Sequence, residues 1–87
     1  MTDYKQFIFK EIRERGPIPT DEIVAMVESA FGRGKWTASN ALTDICTLTN
    51  WGWISRSGVA ESETLQVTEK GREVDADRFL TKLNVGN

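Results

Sequence analysis

A stretch in the middle of the chain combines helical spacing with short side chains that both donate and accept hydrogen bonds. Through residues 37–50 apolar residues recur three and four positions apart, which predicts a helix with one buried face. The apolar positions are Ala38, Ala41, Leu42, Ile45 and Leu48, and the opposite face carries Ser39, Asn40, Thr43, Asp44 and Thr47. Serine, threonine and asparagine are poorer helix formers than the charged residues of an ordinary solvated face. Recognition of a partner's hydrogen-bonding groups is one reason for this composition, and chance is the other.

Residue types exclude most catalytic and metal-dependent chemistry. The sequence has no histidine and a single cysteine, Cys46, which removes most zinc sites, Ser-His triads and Cys-His dyads. A site built from carboxylates alone stays open, but the acidic residues are scattered among lysines and arginines, as on solvated helix faces. We therefore expect a protein that is not an enzyme and that binds no metal or other cofactor. A carboxylate-dependent hydrolase is kept as a distant third hypothesis.

Length and composition indicate a single small domain spanning residues 1–87, with residues 84–87 as a frayed tail. No apolar run approaches the length of a membrane span, and the N-terminal segment is too charged for a signal peptide. Cys46 has no second cysteine to pair with and lies inside the predicted helix, which fits a reducing compartment. We expect a cytoplasmic protein.

Positive charge is concentrated around the predicted helix, although the whole chain carries a net charge of −2. The middle third, residues 32–60, holds Arg33, Lys35 and Arg56 against a single aspartate, which gives +2. Each of the other two thirds holds four basic and six acidic residues, which gives −2. A local basic field supports nucleic-acid binding even when the whole chain is acidic. Three basic residues form a thin field, so we expect one copy of the domain to bind weakly.

Two further helices are predicted before the middle one. The first covers residues 3–15 and ends at Gly16-Pro17, because glycine supplies the C-terminal turn and proline disfavours helix in the residue before it. Ile18 is expected to be a short extended residue that packs beneath the helices. The second helix begins at Thr20, the predicted N-cap, and continues with two acidic residues that the helix dipole favours in its first turn.

The middle helix leads into a predicted hairpin and a closing helix. Thr37 is the predicted N-cap of the middle helix. Two short strands, at about residues 53–56 and 64–67, flank a polar loop that contains glycine, which is typical of a hairpin. Thr68 then caps the closing helix, in which Gly71 costs roughly 1 kcal/mol of stability relative to alanine.

Three segments of the chain, taken in order, resemble a winged helix-turn-helix domain from Tyr4 to about Leu83. The helix before the recognition helix is matched by PTDEIVAMVESAF. The recognition helix with the first wing strand is matched by TASNALTDICTLTNWGWI, and the second wing strand with the closing helix by LQVTEKGREV. The resemblance implies an α+β, mostly helical fold with a three-helix core, a two-stranded wing and a C-terminal helix.

The resemblance also implies a DNA-binding site, because in this family the third helix lies in the major groove and the wing touches the backbone. The third-helix contacts that it implies are Thr37, Ser39, Asn40, Thr43 and Thr47. Its phosphate anchors are Arg33 and Lys35 beside the helix start, and Arg56 with Ser57 at the wing. Asn40 is the best candidate for reading adenine, since an amide pairs bidentately with N6 and N7. Each of these residues also has an ordinary structural explanation as a cap, a solvated side chain or a strand-end charge.

Two functional hypotheses follow from this resemblance. The first is sequence-specific binding of double-stranded DNA by a small transcriptional regulator, associated with the nucleoid. The second is a winged-helix protein-interaction module in a larger assembly, which the net negative charge and the wing glutamates, Glu61 and Glu63, keep open. A homodimer is a further prediction, because two DNA half-sites would add avidity. The candidate dimer residues of the closing helix are Phe79, Leu80 and Leu83.

Overall fold

The computed structural model describes residues 4–74, which form three long helices, one short helix and a small sheet. The helices are α1 (Lys5–Arg15), α2 (Thr20–Phe31), α3 (Thr37–Asn50) and α4 (Glu69–Arg72). The strands are β1 (Ile18–Pro19), β2 (Ile54–Ser57) and β3 (Thr64–Val67), with a 3-10 turn (Ala60–Ser62) between β2 and β3. The α+β class expected from the sequence is confirmed. Within residues 4–74 no helix is long and apolar enough to cross a membrane.

One apolar core lies where the three long helices meet the sheet. Its fully buried members are Ile8, Phe9, Ile12, Ile23, Val27, Ala41, Ile45, Leu48 and Leu65. The ring of Phe9 packs 5.4 Å from that of Trp53, so α1 also covers the entry to β2. Burying a large aliphatic or aromatic side chain contributes about 1.5–3 kcal/mol. This core holds the inner side of α3 and leaves its outer side available.

The sheet contains one strand more than the predicted hairpin. β3 lies in the middle, with β2 and β1 antiparallel on its two sides. The predicted hairpin is confirmed, and its register places Arg56 opposite Leu65. Ile18, expected to be extended, is buried and pairs with Leu65 from the other side. Since β1 runs directly into α2, this pairing fixes the hairpin relative to the helices.

Two of the three predicted N-caps are wrong. Thr20 and Thr37 are the first residues of their helices rather than the residues before them, and neither helix has a side-chain cap at its N-cap position. Their hydroxyl groups instead bond to groups outside the helix, described below. Thr68 caps α4 as predicted, since its hydroxyl accepts the N–H of Gly71 at 3.0 Å.

Gly71 is required by close packing. A β-carbon at this position would overlap the carbonyl oxygen of Trp53 and lie 2.8 Å from Cγ2 of Val67. Glycine therefore lets α4 approach the sheet closely, which is one of the uses of this residue. The sequence-based view of Gly71 as a helix-weakening residue missed this contact.

Only the beginning of the predicted closing helix falls within the described residues. α4 is short there, and Val74 after it is buried against the core. Phe79, Leu80 and Leu83, proposed as dimer contacts, and the tail at residues 84–87 lie outside the described residues.

Candidate nucleic-acid interface

The outer side of α3 is a neutral surface, which we call the α3 face. Its exposed members are Ser39, Leu42, Thr43, Cys46 and Asn50, and half-buried Asn40 and Thr47 lie at its edge. None of these side chains is charged. The predicted polar residues Ser39, Asn40, Thr43 and Thr47 are therefore together on one accessible surface.

Two positions of α3 differ from the predicted faces. Asp44, expected on the polar side, is only 7 % exposed; it accepts the N–H of Tyr4 at 2.9 Å and the ammonium of Lys5 at 3.3 Å. This carboxylate joins the start of α1 to α3 and is not part of the α3 face. Leu42, expected in the buried stripe, is 44 % exposed. The core covers a narrower strip of α3 than the apolar stripe predicted from the sequence, and Leu42 lies outside that strip.

Two threonine hydroxyls on α3 are oriented by backbone hydrogen bonds. Thr43 Oγ1 donates to the carbonyl of Ser39 at 3.0 Å, and Thr47 Oγ1 donates to the carbonyl of Thr43 at 3.1 Å. Each hydroxyl has one donor and two acceptor lone pairs. Because the donor is used within the helix, these hydroxyls meet a partner as acceptors. The backbone N–H of Asn40 donates to the carbonyl of Trp36 at 2.9 Å. Its side-chain amide makes no hydrogen bond to another described residue, so both the donor and the acceptor of that amide are available.

The loop that leads into α3 is closed by the hydroxyl of Thr37. Thr37 Oγ1 accepts the N–H of Gly34 at 2.9 Å and donates to the carbonyl of Gly32 at 3.0 Å. Gly32 ends α2 with φ +97°, a backbone conformation that glycine adopts readily and other residues disfavour. Thr37 is 6 % exposed, and its two hydroxyl bonds are internal. Thr37 is therefore not part of the contact surface, and its hydroxyl positions the loop before α3.

The same loop presents two cationic side chains beside the start of α3. Arg33 is highly exposed, and its Nε lies 3.3 Å from Oε2 of Glu28. An ion pair this exposed is worth little and is readily exchanged for another anion. Lys35 is exposed, with Nζ 5.2 Å from the ring centroid of Trp36. Trp36 itself is 62 % exposed, so the approach to α3 has an aromatic as well as a cationic surface.

Arg56, the predicted anchor on β2, is held by a carboxylate. Its Nε and Nη2 donate to the two oxygens of Glu63 at 3.0 and 2.9 Å, and its Nη1 lies 3.5 Å from Sγ of Cys46 on α3. Glu63 Oε1 also accepts the hydroxyl of Thr20 at 2.7 Å. The cluster therefore joins β2, the residue just before β3 and the first residue of α2, and it touches the α3 face. From the sequence, Glu63 was only one of two glutamates that kept a protein partner open, and it was not paired with Arg56.

The Arg56–Glu63 pair changes the charge that the hairpin offers. The hydrogen bonds from Arg56, followed by that from Thr20, lower the pKa of the Glu63 carboxyl. The hydrogen bond to Glu63 in turn raises the pKa of Arg56. Both groups are charged at neutral pH, so the pair is neutral as a unit. A phosphate would meet the full charge of Arg56 only after displacing Glu63.

The loop of the hairpin projects from the sheet. Ser57 is exposed at the end of β2, opposite Thr64 of β3. Ser62 closes the loop, since its N–H and its hydroxyl both donate to the carbonyl of Val59, at 3.0 and 2.9 Å. Val59 is 77 % exposed at the tip. The loop therefore exposes an apolar side chain close in the chain to the exposed carboxylate of Glu61, and Ser57 is the nearest predicted contact residue in the chain.

A separate depression of about 380 Å³ lies away from the predicted contact residues. Its lining comprises Arg13, Gly16, Pro17, Gln66, Val67 and Arg72. The guanidinium of Arg13 donates to the carbonyls of Val74 and Arg72, at 2.9 and 3.4 Å, so it fastens α1 to the end of α4. We assign no ligand to this depression. Among the described residues no group of three or more cysteine and carboxylate side chains is placed to hold a metal ion.

Comparisons with protein-family models, with characterised proteins and with solved structures found no match for this chain. The case for a function therefore depends on the residues themselves.

Proposed function

We propose that this chain is a winged helix-turn-helix domain that binds double-stranded DNA sequence-specifically as a small transcriptional regulator in the cytoplasm. In this proposal α3 enters the major groove and the β2–β3 hairpin, the wing, lies on the backbone. The element order supports it: three helices, with a short strand between the first two, lead into an antiparallel hairpin. This order is what the resemblance of the sequence implies.

The observation that carries the proposal is the α3 face. It exposes short polar side chains on a helix whose other side is locked into the core. The major groove admits an α-helix and presents donors, acceptors and methyl groups, which side chains of this kind contact. An ordinary solvated helix would more often carry lysine, glutamate and arginine at these positions.

Affinity in the proposal comes from Arg33 and Lys35. Both side chains are exposed in the loop before α3. Phosphate contacts position a protein on DNA, and helix N-termini add backbone N–H donors for the same oxygens. The first turn of α3 has no side-chain cap, and the N–H groups of Thr37 and Asn40 already donate to backbone carbonyls, so those of Ala38 and Ser39 are the ones left for such a contact. Arg56 and Ser57 on the wing remain proposed contacts. The ion pair with Glu63 reduces the attraction of Arg56 for a phosphate.

A salt titration tests the proposal. Fluorescence anisotropy with a random 20-base-pair duplex should show binding at low salt, with an affinity that falls as salt rises. The double variant Arg33→Ala/Lys35→Ala should make the negative slope of log K against log salt less steep by about 2, since each phosphate contact contributes about −0.9. The variant Lys10→Ala/Arg15→Ala removes the same charge from α1 and should leave the slope nearly unchanged. Absence of binding even at low salt would refute the proposal.

A second candidate function is a protein-interaction module, our alternative from the sequence. It is favoured by three exposed large apolar side chains, namely Trp36 before α3, Leu42 on the α3 face and Val59 at the tip of the hairpin. The neutral Arg56–Glu63 pair also suits a protein partner, because interface centres are poor in net charge. The titration above separates the two functions, since only the first requires binding to random DNA.

Dimerisation through Phe79, Leu80 and Leu83 remains part of the proposal, because a domain with two strong phosphate anchors binds weakly as a monomer. Sedimentation velocity over a range of protein concentrations tests it. A monomer at every concentration would contradict the predicted dimer.

A further inference from the structure

The α3 face lacks the side chains that read a G·C base pair. We propose that α3 selects A·T base pairs, and that the C5-methyl group of thymine and the N6 and N7 edge of adenine are the groups that it reads. This inference rests on the proposed binding to DNA. It goes further, because the chemistry of the face specifies which bases it accepts.

Guanine is usually read by an arginine or lysine that donates to O6 and N7. The sequence of α3 contains neither residue. Of the nearby cations, Arg33 and Lys35 precede the helix, in the position of phosphate anchors. Arg56 is engaged by both oxygens of Glu63. No guanidinium or ammonium on α3 is therefore available for a guanine.

Cytosine offers the N4 amino group, which a carboxylate accepts best. The one carboxylate on α3 is Asp44, and it is buried. Its oxygens accept the Tyr4 N–H and the Lys5 ammonium. Both partners of a G·C pair thus lack their usual reader on this helix.

Adenine and thymine find suitable groups on the same surface. The amide of Asn40 is able to pair with N6 and N7 of adenine. Leu42, 44 % exposed, offers an apolar contact for the C5-methyl group of thymine. Thr43 is exposed with its hydroxyl donor held by the carbonyl of Ser39, which leaves acceptor lone pairs and a γ-methyl group for the partner. A helix rises about 1.5 Å per residue, so Asn40 to Thr47 spans roughly three base-pair steps.

Selection from a random duplex library at low salt tests the inference. We expect an enriched site with about three consecutive A·T pairs. Replacing thymine by uracil in that site keeps base pairing and removes only the methyl groups, and should weaken binding about fourfold for each methyl contacted. Enrichment of G·C at the contacted positions, or binding without enrichment, overturns the inference while the proposed DNA binding stands. Absence of any DNA binding overturns both.

A gain-of-specificity variant gives an independent readout. Ser39→Arg places a guanidinium on the exposed α3 face and should shift the selected site toward guanine, by about 5- to 150-fold at one position. Ala25→Arg adds the same charge on the exposed side of α2 and should raise affinity for all sequences without changing the site. An unchanged site with Ser39→Arg would show that α3 does not read bases. Both positions are exposed, so both variants should fold. Circular dichroism checks this.

Discussion

The carboxylate of Glu63 holds the guanidinium of Arg56 through two hydrogen bonds, from Nε at 3.0 Å and from Nη2 at 2.9 Å. Two parallel hydrogen bonds of this kind give geometric specificity as well as energy. The backbone of Glu63 adds a third connection, because its carbonyl accepts the N–H of Thr20 at 3.2 Å. The hairpin is therefore fastened to the beginning of α2, and the only basic residue of the hairpin is neutralised by the same contact.

Release of Arg56 is predicted to strengthen the proposed DNA binding. Glu63→Gln removes the charge that neutralises Arg56, so the guanidinium becomes available to a phosphate. The slope of log K against log salt should become steeper by up to about 0.9, the contribution of one phosphate contact. Glu61→Gln is the matched control. Glu61 is exposed in the same loop, and its substitution removes the same charge without releasing Arg56. Equal slopes for the two variants would contradict a specific role for the Arg56–Glu63 pair.

The same pair predicts a pH dependence of stability. Arg56 and Thr20 lower the pKa of Glu63 in the folded state, so the folded protein binds fewer protons than the unfolded chain. The stabilisation is therefore complete above the unfolded pKa of a glutamate, about 4.3, and is lost as the pH falls through the lower folded pKa. Since the pair is partly exposed, we expect at most about 1 kcal/mol.

Urea denaturation at a series of pH values measures this effect. The difference in unfolding free energy between wild type and Glu63→Gln should shrink as the pH falls from 7 into the acid range. Glu61→Gln, which loses no ion pair with any of residues 4–74, should show a nearly constant difference from wild type. A difference for Glu63→Gln that does not change with pH would argue against the ion pair as its source.

Asp44 is predicted to act in folding and to make no DNA contact. Asp44→Ala leaves the Tyr4 N–H without its partner and should cost about 2–3 kcal/mol, or roughly 10–16 °C in melting temperature. Asp44→Asn keeps an oxygen for that N–H and should cost less. Ser29→Ala, at an exposed position of α2, should change stability by less than about 0.5 kcal/mol. Thermal melting followed by circular dichroism measures all three, and a melting temperature of Asp44→Ala equal to wild type would contradict this role.

Gly71→Ala is predicted to destabilise the protein, although alanine is the better helix former. Its methyl group would overlap the carbonyl oxygen of Trp53, so α4 would have to move away from the sheet. Overpacking of this kind typically costs about 1–3 kcal/mol. Lys70→Ala, one residue earlier on the exposed side of α4, should stay within about 0.5 kcal/mol of wild type in urea denaturation. A Gly71→Ala protein more stable than wild type would show that helix propensity dominates at this position.

Local sequence patterns were sufficient to place most elements of this fold. The spacing of apolar residues located α3, and Gly16-Pro17 correctly predicted the end of α1 at Arg15. Two short strand-forming segments on either side of a polar loop that contains glycine located the β2–β3 hairpin. Such patterns work because backbone hydrogen bonding and side-chain periodicity involve residues a few positions apart. The neutral composition of the outer side of α3 was equally readable, since it depends only on residue type and spacing.

Long-range contacts settled the roles of individual polar residues. Asp44 and Thr43 are neighbours on α3, yet Asp44 is buried because the N–H of Tyr4, 40 residues away, is placed beside it. Arg56 was predicted as an anchor, but the antiparallel register brings Glu63 against it. Gly71 is required because Trp53 lies against it. No local pattern contains these facts, because a buried donor, a charge or a crowded carbonyl acquires its partner only when distant segments pack together.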